Sequence, residues 1–211
     1  MDFSNFKAPF IRKDRVQSEA DKFREQLWPA GSIPVDIHEI IEFELHMEIR
    51  AISNLSKSSD IDALLLGDLQ TIVVDWDMYM DDRRQNRIRY SLAHEVGHKI
   101  LHPDLYSQIR HSSIAEWIAF FEAIPQDEYT WIEQHAYEFA GRLLVPPVIL
   151  KQAFDEQIVV VKKQGFEDWD TSGESALEYM AHAIAAAYPF EVSEQVIARR
   201  LKIEGFWKVV H

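Results

Sequence analysis

Apolar side chains first fall into register at Val16, Ala20, Phe23 and Leu27, the spacing of one face of an amphipathic helix, and Trp28-Pro29-Ala30-Gly31 then breaks the pattern. After Pro34 a second helical face is predicted from Ile37, Ile40, Ile41 and Leu45. The period then drops to two. Met47, Ile49 and Ala51 alternate with Glu48, Arg50 and Ile52, which predicts a strand. Asp62 to Leu66 and Leu69 to Asp75 flank Gly67-Asp68 and read as a hairpin on a two-residue turn, with Gly67 supplying a positive φ. From Asp82 to His102 the row Ile88, Leu92, Val96 and Ile100 predicts a helix, and Pro103 disfavours helical backbone at His102.

The remainder reads as helical. Ser113 with Glu116 forms a candidate capping box for a helix reaching about Ile124. After Pro125 another helix is expected from Asp127 to Val145, closed by Pro146-Pro147. Thr171 with Glu174, and Ser193, are candidate N-caps and Gly205 a candidate C-cap, so three further helices follow. A small group of strands among many helices predicts an α+β chain.

Composition narrows the possibilities. At 211 residues, about 1.4 typical domain lengths, the expectation is one domain over 1–211, with an N-terminal helical segment at 1–31 and a helical C-terminal extension at 147–211. Hydrophobic residues make up 47%, with 7 Gly and 8 Pro, which excludes collagen-like and disordered compositions. Lys and Arg number 22 against 35 Asp and Glu, and a net charge of -13 repels phosphate backbones and anionic bilayers. No direct nucleic-acid or membrane partner is therefore expected. Cysteine is absent, which excludes a disulfide framework, a thiolate nucleophile and thiolate-held zinc. With no signal-like apolar run in MDFSNFKAPFIRKDR, and no stretch of ~18 apolar residues, a cytoplasmic location is the expectation.

Residues 94–98 read His-Glu-Val-Gly-His inside the predicted helix. Histidines at i and i+4 share a helix face, so His94 and His98 can reach one zinc at about 2.0 to 2.1 Å. Glu95, ~100° further round the helix, cannot share their direction and is placed to take a proton from water. Gly97 costs about 1 kcal/mol relative to Ala in an exposed helix, a cost that close approach of a neighbouring helix would explain.

A third ligand must come from elsewhere. His102 sits about 12 Å from His94 along the helix axis, while two nitrogens on one zinc can be at most about 4 Å apart, so His102 is read as a helix-end residue beside the C-terminal dipole. The better donor is Glu133, which shares a face with Ala136, Tyr137, Ala140 and Leu144; the small alanines suit close packing against Gly97. Glu122, Glu138, His111 and His135 are its rivals. Trp117, Phe120 and Phe121 suit either a buried core face or a wall of the substrate cleft, with the core favoured.

Taken together, Tyr90-Ser91-Leu92-Ala93-His94-Glu95-Val96-Gly97-His98 followed by His102, and Glu133-x-x-Ala136-x-x-Phe139-Ala140-x-x-Leu143-Leu144-Val145-Pro146, resemble the ImmA/IrrE family of metallopeptidases. Ile33 to Ile37 resembles the family's entry segment, and Tyr188 to Leu201 its closing helical hairpin. The resemblance implies a minimal zincin-like fold: a small twisted sheet packed on an active-site helix, with a mostly helical C-terminal part. It further implies Zn2+ held by His94, His98 and Glu133, and cleavage of basic XRE-type helix-turn-helix repressors that control stress-response or mobile-element genes. One position departs from the family pattern. Tyr137 stands where a short Asn four residues after the ligand usually orients a zinc-bound histidine.

The expected activity is zinc-dependent peptide hydrolysis with Glu95 as general base. Tyr90, Tyr137, His102 and His135 are candidates for transition-state or second-shell support. Leu69 to Asp75 is expected to offer an exposed strand edge for the peptide. The alternative is a metal-stapled module that binds a regulator without cutting it, or a toxin and antitoxin component. Ser193 to Phe206, with Arg199, Arg200 and Lys202, also resembles a DNA-reading helix, but the net charge favours a packing helix built on Val196, Ile197 and Leu201.

Overall fold

The computed structural model describes residues 6–56, 61–108, 114–163 and 173–207, apart from the side chains of residues 116 and 118. Helix α1 (Lys13–Leu27) buries Val16, Ala20 and Phe23, as its periodicity predicts, and Gly31 adopts a φ of 68° in the turn after it. Asp36 caps α2 (Ile37–Glu39) by accepting from the backbone N–H groups of His38 and Glu39. From Ile40 to Glu44 the helix continues as a π-turn. Ile37, Ile40 and Ile41 still face the core.

Strands β1 (Glu48–Ile52), β2 (Ala63–Leu65) and β3 (Thr71–Asp75) form one sheet in the order β1-β3-β2. β1 runs parallel to β3 and β2 antiparallel to it, with Ala63 opposite Val74 and Leu65 opposite Ile72. Two expectations are corrected here. The hairpin turn is longer than two residues: Leu69 N–H donates to Leu66 O at 3.0 Å, and the positive φ (56°) falls on Leu69 rather than Gly67. Asp68 stabilises this loop by accepting from the Gln70 and Thr71 backbone and the Thr71 hydroxyl. The segment Leu69 to Asp75 is not an edge either, because β3 is the central strand, buried along its whole length.

The sheet is followed by a short helix, α3 (Trp76–Tyr79), and by helix α4 (Gln85–Leu101), which packs on β2. His102 leaves helical backbone and Pro103 opens α5 (Pro103–Gln108), as proline at a first helical position favours. Helix α6 (Ile114–Ala123) follows; Ser113 and the Glu116 side chain of the expected capping box lie outside the described residues.

Helix α7 (Gln126–Leu144) crosses α4 at Gly97 and also packs on α1. A Cβ at Gly97 would sit 3.2 Å from Ala136 Cα and 3.2 Å from the Phe139 ring. The glycine and the alanine therefore set how close the two backbones come. Ile88, Leu92 and Val96 of α4 join Phe139, Ala140 and Leu143 of α7 and the buried residues of β2 and β3 in one core.

Pro147 starts α8 (Pro147–Lys163), and α9 (Glu174–Ala187) and α10 (Glu194–Ile203) pair as a helical hairpin. Gly173 caps α9, while Thr171 lies outside the described residues. Ser193 caps α10 through Val196 N–H, and Gly205 follows that helix with a φ of 72°.

Arg200 is 1% exposed and closes a buried network: it donates to Glu138 at 2.8 Å and to Glu204, while Arg142 bridges Glu204 and Asp21. Its burial commits Arg200 to packing. The expectation of a packing helix holds, although Val196 is only half-buried beside the buried Ile197 and Leu201.

Candidate metal centre

Helix α4 presents His94 and His98 one turn apart, with their Nε2 atoms 2.9 Å from each other. Glu133, on the facing side of α7, places Oε2 at 3.2 Å from His94 Nε2 and Oε1 at 3.3 Å from His98 Nε2. Ligand atoms around a tetrahedral ion with bonds of about 2.0 to 2.1 Å stand about 3.4 Å apart. Two sides of this triangle match and the nitrogen pair is a few tenths of an ångström tight. Two imidazoles and a carboxylate converging on one point form a donor set that fits a divalent ion of zinc type; without the ion, burial opposes the charge on His94 but the hydrogen bond and charge of Glu133 outweigh it and raise its proton affinity.

Charges agree with that grouping. Burial works against ionisation of Glu133, but hydrogen bonds from His94 and His98 outweigh it and hold the carboxyl well below the usual carboxylate range. Glu95 is treated differently. Its ligand atom also lies within 4.8 Å of those of both histidines, yet its Oε2 accepts the backbone N–H of Leu65 in β2 at 2.7 Å. Burial pushes its carboxyl up to about 7. A carboxylate tethered beside the triangle, with a proton affinity near neutrality, is suited to exchanging protons.

The cleft over these residues has a volume of about 270 Å3 and is walled by Tyr90, Tyr106, Trp117, Tyr129 and Tyr137, with Asp62 and Arg87 paired at its rim. Tyr90 donates to the Tyr137 carbonyl at 3.1 Å, and burial pushes its phenol up to about 12. The Tyr137 ring lies against His94, with centroids 4.4 Å apart, and the Arg199 guanidinium stands over the same ring at 5.7 Å from its centroid. No hydrogen bond to His94 Nδ1 results. That atom is buried and has no partner among the described residues. Trp117 is both cleft wall and core: only 7% exposed, it stacks on the buried Phe121.

The rivals of Glu133 are elsewhere. Glu138 is buried against Arg200, Glu122 is exposed, and His111 lies outside the described residues. His135 approaches His102, which stands at the end of α4 as its helix-end reading expects. His102 is 1% exposed, contacts His98 Nδ1 at 3.4 Å and His135 Nδ1 at 3.1 Å, and is pushed down to about 2 by burial and its histidine neighbours, so it is neutral. Sequence reasoning missed Tyr129 and Tyr106. Tyr129 lies one turn before Glu133 and hydrogen-bonds to it, and Tyr106 lies four residues after His102 with its ring 5.3 Å from that of His98. In both cases helical spacing from a named site residue was the available signal.

The model of the IrrE N-terminal-like domain, the M78 peptidase family, matches residues 78–202, more than half of the chain. The chain belongs to this family. The match begins at Met78 in α3 and ends in α10, so it takes in the active-site helix, the whole of α7 and the closing hairpin. No curated protein matches the chain. This M78 family member therefore carries a metallopeptidase-type domain with a buried group able to hold a metal. Among its described residues, no helix is long and apolar enough to cross a membrane.

Proposed function

We propose that the chain is a zinc-dependent endopeptidase in which His94, His98 and Glu133 hold the metal and Glu95 is the general base. The observation that carries this reading is the division of labour between two carboxylates: Glu133 closes the triangle with both histidines, while Glu95 is drawn aside by Leu65 N–H. Zinc bound there supplies Lewis acidity for activating water and polarising the scissile carbonyl. Glu95 takes the proton of the attacking water and delivers it to the departing amine nitrogen. Its backbone tether fixes the carboxylate without neutralising it. Tyr90, Tyr129 and Tyr137 line the space where the peptide carbonyl develops negative charge, and their high phenol proton affinities keep them as donors.

Strand parity supports a place for the peptide along β2. Asp62 O and Leu66 N–H bond to β3, so the backbone groups of Ala63 and Leu65 turn to the other side. Leu65 N–H is taken by Glu95, and Ala63 lines the cleft. An extended peptide adding to this β2 edge would gain backbone hydrogen bonds with little demand on side-chain identity. Such permissive binding, and the net charge of -13, support a basic, XRE-type helix-turn-helix repressor as substrate, with selectivity supplied by docking of the whole protein.

Incubation of zinc-loaded wild type with such a repressor should yield discrete fragments that Glu95→Gln does not produce. A zinc-loaded chain that binds repressors and leaves them intact would refute the peptidase reading in favour of a regulatory module.

A further inference from the structure

Metal-ligating histidines nearly always donate their second ring N–H to an acceptor that fixes the tautomer and the orientation of the ring. The two histidines here are served unequally. His94 Nδ1 is buried with no partner among the described residues, and the Tyr137 ring packs against it instead. His98 Nδ1 starts a chain: it meets His102 Nδ1 at 3.4 Å, His102 Nε2 meets His135 Nδ1 at 3.1 Å, and the His135 ring donates to the backbone of Ile11. His98, His102 and His135 are all buried.

The far end of the chain is itself anchored. Ahead of α1, Lys7 and the Ala8 backbone N–H both donate to Glu128, at 2.7 and 2.8 Å, and Phe10 meets Trp131 edge to face. Glu128, Trp131 and His135 recur along one side of α7, so the segment before α1 is strapped along that helix until its backbone reaches His135.

We propose that His135 and His102 are positioning residues for the metal site, forming a one-directional hydrogen-bond relay that ends on the N-terminal strap. The inference rests on the assignment of His98 as a ligand through Nε2. Each nitrogen–nitrogen contact between neutral rings takes one proton, so that assignment fixes every tautomer in turn. His98 must carry its proton on Nδ1 and donate to His102. His102 then carries its proton on Nε2 and donates to His135 Nδ1. His135 is left with its proton on Nε2, facing an acceptor, and a main-chain carbonyl is what the strap supplies. The two ends of the relay, one a ligand that must donate and the other a carbonyl that can only accept, demand the same direction. Since His94 lacks an equivalent partner, the relay carries the orientation of the ligand pair.

The test uses the full chain and reads zinc affinity by competition with a chromophoric chelator, together with long-range 1H–15N NMR of the zinc-loaded protein. Zinc affinity should fall about 10-fold or more in His135→Leu, which keeps bulk but removes the acceptor. His135→Asn, whose side-chain oxygen can accept from His102, should recover most of the loss. The NMR spectrum of wild type should place protons on His98 Nδ1, His102 Nε2 and His135 Nε2. Unchanged affinity in His135→Leu, equal losses in both variants, or a proton on His102 Nδ1 would overturn the relay while leaving the peptidase reading standing. A wild-type chain that takes up no zinc would overturn that reading and the relay with it.

Discussion

Replacing Glu95 by Gln should stabilise the metal-free chain, by an amount that grows with pH. In the folded chain Glu95 is buried at 6% exposure, and its carboxyl titrates near 7 instead of 4.5. The folded state thus binds the Glu95 proton more tightly than the unfolded state does, and stability is lost, not gained, as pH rises through that window. With these two values the loss is about 1 kcal/mol at pH 5.5 and about 3 kcal/mol at pH 8, since each tenfold change in proton affinity is worth about 1.4 kcal/mol. Glutamine keeps the acceptor for Leu65 N–H and carries no charge, so it escapes the loss. Urea unfolding of chelator-treated wild type and Glu95→Gln at the two pH values should therefore show the variant's advantage widening by about 2 kcal/mol. The other titrating groups are common to both proteins and cancel to first order. An advantage that is flat with pH would show that Glu95 ionises freely in the fold, and the argument from its burial would fail.

Glu133→Ala should lower zinc affinity by about 10-fold or more in chelator competition while leaving the fold intact. Gly97→Ala forces a Cβ to within 3.2 Å of Ala136 Cα; overpacking of about 1 to 3 kcal/mol, partly offset by about 1 kcal/mol of helix propensity, should cost net stability and also weaken zinc binding, because α7 carries Glu133 away from the histidines. Arg200→Met should destabilise by about 3 to 5 kcal/mol in denaturant unfolding, because Glu138 is left buried without its cation, with only the neutral Gln17 amide still donating to it. Ala63→Pro removes an N–H that faces away from β3, so peptide cleavage should fall with zinc uptake unchanged; undiminished cleavage would show that the β2 edge does not bind the peptide.

Local patterns carried most of the helices, and the histidine pair with its glutamate partner could be read from spacing on two helices. What escaped depended on long-range pairing or on side-chain chemistry inside a turn. The π-turn at Ile40–Glu44 preserves the apolar face, so periodicity alone cannot separate it from an α-helix. At the hairpin, three hydrogen bonds accepted by Asp68 set the loop, outweighing the usual preference for glycine. The central place of β3 comes from parallel pairing with β1, a contact across some twenty residues. Its unbroken Ile72-Val73-Val74 run, in place of alternation, was the one local sign of burial on both faces. The relay escaped because His102 and His135 are 33 residues apart in sequence.

The crossing of α4 and α7 at Gly97 and Ala136 bears on what holds the candidate metal site together. Hydrocarbon contacts, continuing through Phe139, Ala140 and Leu143, hold α7 against α4 and so carry Glu133 up to the histidines. A metal site framed by such packing would differ from small zinc modules that unfold when stripped, because its scaffold is a hydrocarbon core. On the metallopeptidase reading proposed above, loading such a site would call for no refolding of α4 and α7.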